Sequence, residues 1–151
     1  MTEDIRICMP ASAAAPGFTR RLMERSLKKW GYSDISYDAM LVATEIVTNA
    51  MRATPGEIIR FMCRWEDGVV YIAAWDSSLG RPAPTATVDL TLDDLDLAEA
   101  GLNTDGHRGL LIIDALALEW GYRPDPIDPS TGRSPGKWVW ARVAATPSDH
   151  V

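Results

Sequence analysis

Two cysteines and two histidines are all that this 151-residue chain offers to a thiolate or imidazole metal cluster. Cys8 and Cys63 lie far apart with no metal-type spacing, so they read as reduced, buried thiols rather than zinc ligands or a disulfide staple. No apolar run approaches the ~18 residues of a membrane-spanning helix. Glu3, Asp4 and Arg6 stand too early for a secretory signal, so the expected location is cytoplasmic with no membrane partner. Basic residues are also short: 15 Lys and Arg against 21 Asp and Glu leave a net charge of −6. That balance argues against a nucleic-acid partner, because binding a phosphate backbone needs a basic face. A small anionic ligand held by a few local donors is still allowed. Repeats and low-complexity blocks are absent. What is present is 46% apolar residues with 24% charged, enough for one core in a single domain spanning residues 1–151.

The pattern along the chain predicts helices and strands in a definite order. Ile5 to Met9 is a short β-prone segment. Pro16 to about Trp30 reads as a helix, with Phe18, Leu22, Met23, Leu27 and Trp30 as its apolar stripe and Gly31 at its end. Ser36 is the expected N-cap of a second helix, with Asp38 in its first turn and Thr54-Pro55-Gly56 as its stop. Glu57 to Trp65 and Val69 to Trp75 read as a hairpin turning at Glu66-Asp67-Gly68. The second of these strands is nearly all apolar, which predicts a central place in the sheet, and Asp76 stands at its end. Residues 77–105 form a long acidic connection holding Asp89, Asp93, Asp94, Asp96, Glu99 and Asp105 among Leu90, Leu92, Leu95 and Leu97. Gly106-His107-Arg108-Gly109 then opens a helix, Trp120 to Arg123 reads as a strand, and Lys137 to Ala144 closes the fold. The tryptophans are expected mostly in the core, with Trp138 and Trp140 on one face. This order predicts an α/β (α+β) two-layer sandwich: a mixed, mostly antiparallel sheet with helices on one face.

Three polar groups stand out at the edges of these elements. Asp38, Glu45, Asn49 and Arg52 fall within a wedge of about 60° on an otherwise apolar helix. A helix so apolar is largely buried, so its narrow polar strip must meet something polar. Arg52 is expected to pair with an acidic neighbour. Asp76 at a strand end is ordinary turn chemistry when taken alone. The Gly106-to-Gly109 segment suits an anion, since glycines admit close backbone approach and the N–H groups of a helix start point outward.

Taken in sequence, Glu45-x-x-x-Asn49-Ala50, then Asp76 with Gly80 following, then a long connection, then Gly106-x-x-Gly109-Leu110 resembles the GHKL ATPase superfamily. The segment Glu45-Ile46-Val47-Thr48-Asn49-Ala50 and the ending Gly136-Lys137-Trp138-Val139-Trp140-Ala141 look most like the small bacterial anti-sigma-factor serine/threonine-protein kinases. The resemblance runs from about Pro16 to Val143. It implies the Bergerat ATP-binding fold, with ATP and Mg²⁺ as cofactors. In its terms Asn49 holds Mg²⁺, Glu45 is the general base, and Asp76 accepts a hydrogen bond from the adenine amino group. Gly80 leaves room beside the adenine ring. Gly106, His107, Arg108, Gly109 and Leu110 form the phosphate loop, and residues 77–105 form a lid. The chain departs from the pattern at Ser78, where relatives commonly have glycine, and at Ala53-Thr54, where many have His-Ala. It also carries only two of the phosphate-loop glycines often seen.

The activity implied is transfer of the γ-phosphate to a serine or threonine of an antagonist protein in a partner-switching circuit, with a sigma factor or another regulator as the second partner. Relatives often pair as dimers, so a homodimer accords with the resemblance. The alternative is a catalytically weak, nucleotide-gated protein-binding regulator without phosphotransfer, which Ser78 and the missing histidine favour. A histidine-phosphorylating catalytic domain ranks lower, because no helical dimerisation segment accompanies it. A nucleotide-free interaction domain requires the ordered Glu/Asn/Asp/Gly set to be accidental.

Overall fold

Every second strand residue turns toward the helices, and this alternation divides the sheet into a dry face and an open one. The computed structural model describes residues 3–29, 37–66, 68–78 and 107–144. In chain order they form β1 (Glu3–Pro10), α1 (Ala15–Lys29), α2 (Tyr37–Ala53), β2 (Ile58–Glu66), β3 (Val69–Asp76), α3 (His107–Leu116), β4 (Glu119–Pro124) and β5 (Lys137–Ala144). The described residues thus make an α+β fold, three helices and a five-stranded sheet in the order β1-β2-β3-β5-β4. All four pairings are antiparallel, which corrects the expected mixed sheet. The reason is the insertion of β5 between β3 and β4, which run the same way and would otherwise pair in parallel. The apolar strand β3 is central, as its composition predicts.

The dry face consists of Ile59, Phe61, Cys63 and Trp65 on β2, Val70, Ile72 and Ala74 on β3, and Val139, Ala141 and Val143 on β5. Against it lies α2, which buries Ala39, Met40, Val42, Ala43, Ile46, Val47 and Ala50 and also packs on α1 and α3. Small residues on this helix let it lie close to the sheet, and α2 stops at Ala53 before the expected Thr54-Pro55-Gly56 breaker. The hairpin turn uses Gly68 at φ 78°, a left-handed conformation that a side chain disfavours. Ser36 and Asp67, the expected cap and turn partner, lie outside the described residues.

On α1 the seam is Ala15, Thr19 and Met23, four residues apart, and Thr19 satisfies its buried hydroxyl by donating to the Ala15 carbonyl at 2.9 Å. Phe18 falls just off this seam and is 44% exposed, contrary to its expected place in the apolar stripe. Trp30 and the Leu27 side chain lie outside the described residues.

The open face is aromatic and arginine-rich. Tyr71 and Trp140 stack with ring centroids 6.0 Å apart, and the Arg60 guanidinium sits 4.7 Å above the Trp75 ring. Trp138 shares this face with Trp140 as expected, but both are half-buried and neither is in the core. Of the described tryptophans, Trp65 alone is fully buried. Cys8 is a second correction: it alternates with Ile7 and Met9 on β1, faces outward and is exposed. Cys63 is buried, and that burial pushes its thiol pKa up. No described helix is long and apolar enough to cross a membrane.

Candidate functional site

Two hydroxyls of α2 are satisfied by the helix itself, and one buried amide is not. Thr44 donates to the Met40 carbonyl at 2.9 Å and Thr48 to the Thr44 carbonyl at 2.7 Å, so neither hydroxyl needs an outside partner. Asn49 differs. Its Nδ2 is buried and has no hydrogen-bond partner among the described residues. A buried amide left unpaired costs about 1–3 kcal/mol, which a ligand acceptor would recover. Glu45 lies one turn before it on the same side, half-buried. Asp38 and Arg52, at the two ends of the same strip, are exposed, and the acidic partner expected for Arg52 is not found among the described residues.

The second group gathers where β3 ends. Asp76 is 2% exposed and lies opposite Lys137 in the β3–β5 register. The Lys137 ammonium donates to Asp76 Oδ1 at 2.8 Å, with both side chains almost fully buried. The same oxygen accepts the Ser78 backbone N–H at 2.8 Å, and Lys137 Nζ also reaches the Ser78 carbonyl at 3.3 Å. Asp76 thus makes the expected turn bond to the residue two on, with a buried cation added to it.

The surrounding residues hold this corner tightly. Gly136 packs so closely that a Cβ there would overlap the Asp76 carbonyl and lie 2.6 Å from the Trp75 ring. The Trp75 indole N–H donates to Asp125 Oδ2 at 2.7 Å, and the Gly136 carbonyl accepts from the Asp125 backbone N–H at 2.9 Å. Ser134 donates its hydroxyl to the same carbonyl at 2.8 Å. Two loop segments and two strands therefore converge on the Asp76–Lys137 pair.

The third group is placed only in part. The start of α3 at His107 agrees with the expected helix opening. The side chains of His107, Arg108 and Leu110 lie outside the description, as do Gly80, Gly106 and residues 79–105 of the expected lid; Gly109 is placed only as helical backbone. At the level of elements, α2 packs on β3, β5 and α3, so the helix that carries Glu45 and Asn49 is the common neighbour of the elements that carry the other two groups.

Sequence reasoning missed Lys137 and Gly136 as parts of this corner. A signal was present: Lys137, Val139, Ala141 and Val143 alternate on one face, which puts a lysine in register with dry positions. Among the described residues no three His, Cys, Asp or Glu side chains come together to hold a metal ion. Asn49 supplies one neutral oxygen, which suits a hard cation whose other ligands are phosphate oxygens and water. No protein-family model matches the chain, and no curated protein matches it.

Proposed function

We propose that this protein adopts the Bergerat fold of the GHKL superfamily and is a Mg-ATP-dependent serine/threonine protein kinase of the anti-sigma-factor kind. Its substrate is a serine or threonine of an antagonist protein, and its second partner is a sigma factor or another regulator. The observation that carries this reading is the orphaned Asn49 amide, one turn from Glu45 on a helix that satisfies its neighbouring threonines internally. The buried Asp76 carboxylate on the adjoining strand adds support, since the Ser78 N–H and the Lys137 ammonium both fall on Oδ1 and leave acceptor capacity on the carboxylate.

When bound, Mg-ATP supplies the γ-phosphoryl group. The chain's own residues do the rest. Asn49 would hold Mg²⁺ through Oδ1 once its amide turns about χ2 to exchange that oxygen for the unpaired Nδ2. Asp76 accepts a hydrogen bond from the adenine amino group and so orients the base. Glu45 takes the proton of the attacking hydroxyl, a role that needs only hydrogen-bond reach of the substrate. The N–H groups at the start of α3 would be donors for phosphate oxygens. Most of the rate advantage in such a site comes from positioning and charge neutralisation.

Calorimetry with ATP and Mg²⁺ tests the binding claim: heat is expected for wild type and strongly reduced heat for Asn49→Ala, and no heat from wild type would sink it. The kinase claim has its own test. With labelled ATP and candidate antagonist proteins, label is expected on an antagonist with wild type and not with Glu45→Ala. The second reading, a nucleotide-gated binding module, is favoured by Ala53, an apolar residue ending α2 where relatives commonly have histidine. Binding without transfer to any cognate partner would select it.

A further inference from the structure

We infer that Lys137 reads the nucleobase together with Asp76: its ammonium donates to the adenine ring nitrogen N1 while the carboxylate accepts from the neighbouring amino group. The inference rests on the Mg-ATP reading above.

Desolvating two charges costs several kcal/mol per ion, and apolar residues of similar volume often serve a fold as well or better. Every other dry-face residue of β3 and β5 is apolar: Val70, Ile72 and Ala74 on one strand, Val139, Ala141 and Val143 on the other. The ion pair breaks this pattern only at the strand ends, on two strands that both pack against the helix carrying Glu45 and Asn49. A tie between β3 and β5 does not require charge there, since their backbone pairing runs the length of both strands.

The donor inventory points the same way. An ammonium has three N–H donors, and among the described residues two acceptors take them, Asp76 Oδ1 and the Ser78 carbonyl. A carboxylate has about four acceptor positions, and the two bonds above fall on Oδ1 alone. Among the described residues the pair therefore retains one unused N–H donor and an unused carboxylate oxygen in a dry setting, where each is worth most. Adenine carries the complement, an amino donor next to a ring acceptor. Guanine carries an oxygen where adenine has the amino group, so in the same pose it would set that oxygen against the carboxylate. Gly136, packed on the Asp76 carbonyl and the Trp75 ring, holds the Lys137 backbone at this corner, so little ordering remains when a base arrives.

The test compares binding of ATP, 1-deaza-ATP and GTP by calorimetry in the presence of Mg²⁺. Wild type is expected to bind 1-deaza-ATP, which lacks the ring acceptor, about tenfold or more weakly than ATP, and GTP more weakly still. Lys137→Met is expected to bind ATP and 1-deaza-ATP alike. The wild-type comparison needs no variant, so a misfolded Lys137→Met leaves the test intact. Equal affinity of wild type for ATP and 1-deaza-ATP, or preference for GTP, overturns the inference while leaving nucleotide binding standing. Failure of wild type to bind ATP overturns the Mg-ATP reading, and this role falls with it.

Discussion

Trp75 and Asp125 are joined at the end of the central strand by an indole N–H donating to a carboxylate oxygen at 2.7 Å. The bond ties the end of β3 to the loop that leads into β5, and Arg60 caps the same ring from the open side. A half-buried bond to a charged acceptor is worth about 1–2 kcal/mol. Asp125→Ala should lower the free energy of unfolding by that amount in urea titration and shift the Trp75 contribution to the fluorescence. An unchanged midpoint would show that the bond adds nothing.

Gly136→Ala tests how close the strands come at this corner. The added methyl group overlaps the Asp76 carbonyl and the Trp75 ring, so the backbone or the indole must move. Overpacking of this kind costs about 1–3 kcal/mol. Thermal unfolding should report a lower midpoint, and nucleotide affinity should fall with it as Asp76 is displaced. Full stability and affinity in the variant would contradict the packing described.

Asn49→Ala separates stability from function. The Nδ2 atom gives up no hydrogen bond among the described residues, and alanine is the better helix former by about half a kcal/mol. Unfolding should therefore show a variant as stable as wild type or more so, while ATP binding is lost. A residue that raises stability when removed is one retained for another purpose. A marked loss of stability would instead assign Asn49 to the framework.

The two thiols should differ sharply toward a thiol-specific reagent. Cys8 is exposed, whereas Cys63 is fully buried with its pKa pushed up by that burial. The thiolate is the reactive form, so Cys63 is doubly protected. One thiol per chain should react rapidly in the native protein and two in denaturant. Rapid native reaction of both would place Cys63 nearer the surface than described.

Asp128 gives a pH dependence of known sign. Its pKa is lowered, first by the Ser130 hydroxyl and then by the Ser130 backbone N–H. A depressed folded-state value contributes stability above the unfolded value of about 4 and loses it as pH falls through the folded one. Ser130→Ala should therefore destabilise the protein at neutral pH and leave it closer to wild type near pH ~2. The stability difference, measured by denaturant titration at the two values, should shrink in acid; a difference that grows would reverse the assignment.

Much of the framework was legible in the residues because its signals are local. Alternating apolar residues marked β2 and β5, an unbroken apolar run marked β3 as central, and Thr54-Pro55-Gly56 marked where α2 stops. Phe18 falls outside the buried seam because a helix stripe read by composition does not say which of two adjacent rows packs against the neighbouring helix α2 and strand β1. Cys8 was misplaced because cysteine is usually buried, while the parity of β1 turns it outward.

What the sequence determined by itself is the set of elements and the order of Glu45, Asn49, Asp76 and the helix opening at His107, since each depends on spacing within a few residues. The tertiary structure alone decided that β5 lies between β3 and β4, and hence that Lys137 meets Asp76 from 61 positions away. It also decided that Asn49, unlike Thr44 and Thr48, keeps a buried polar atom that the described residues leave unpaired. Strand order and burial depend on how distant segments pack against one another, and no local pattern encodes that.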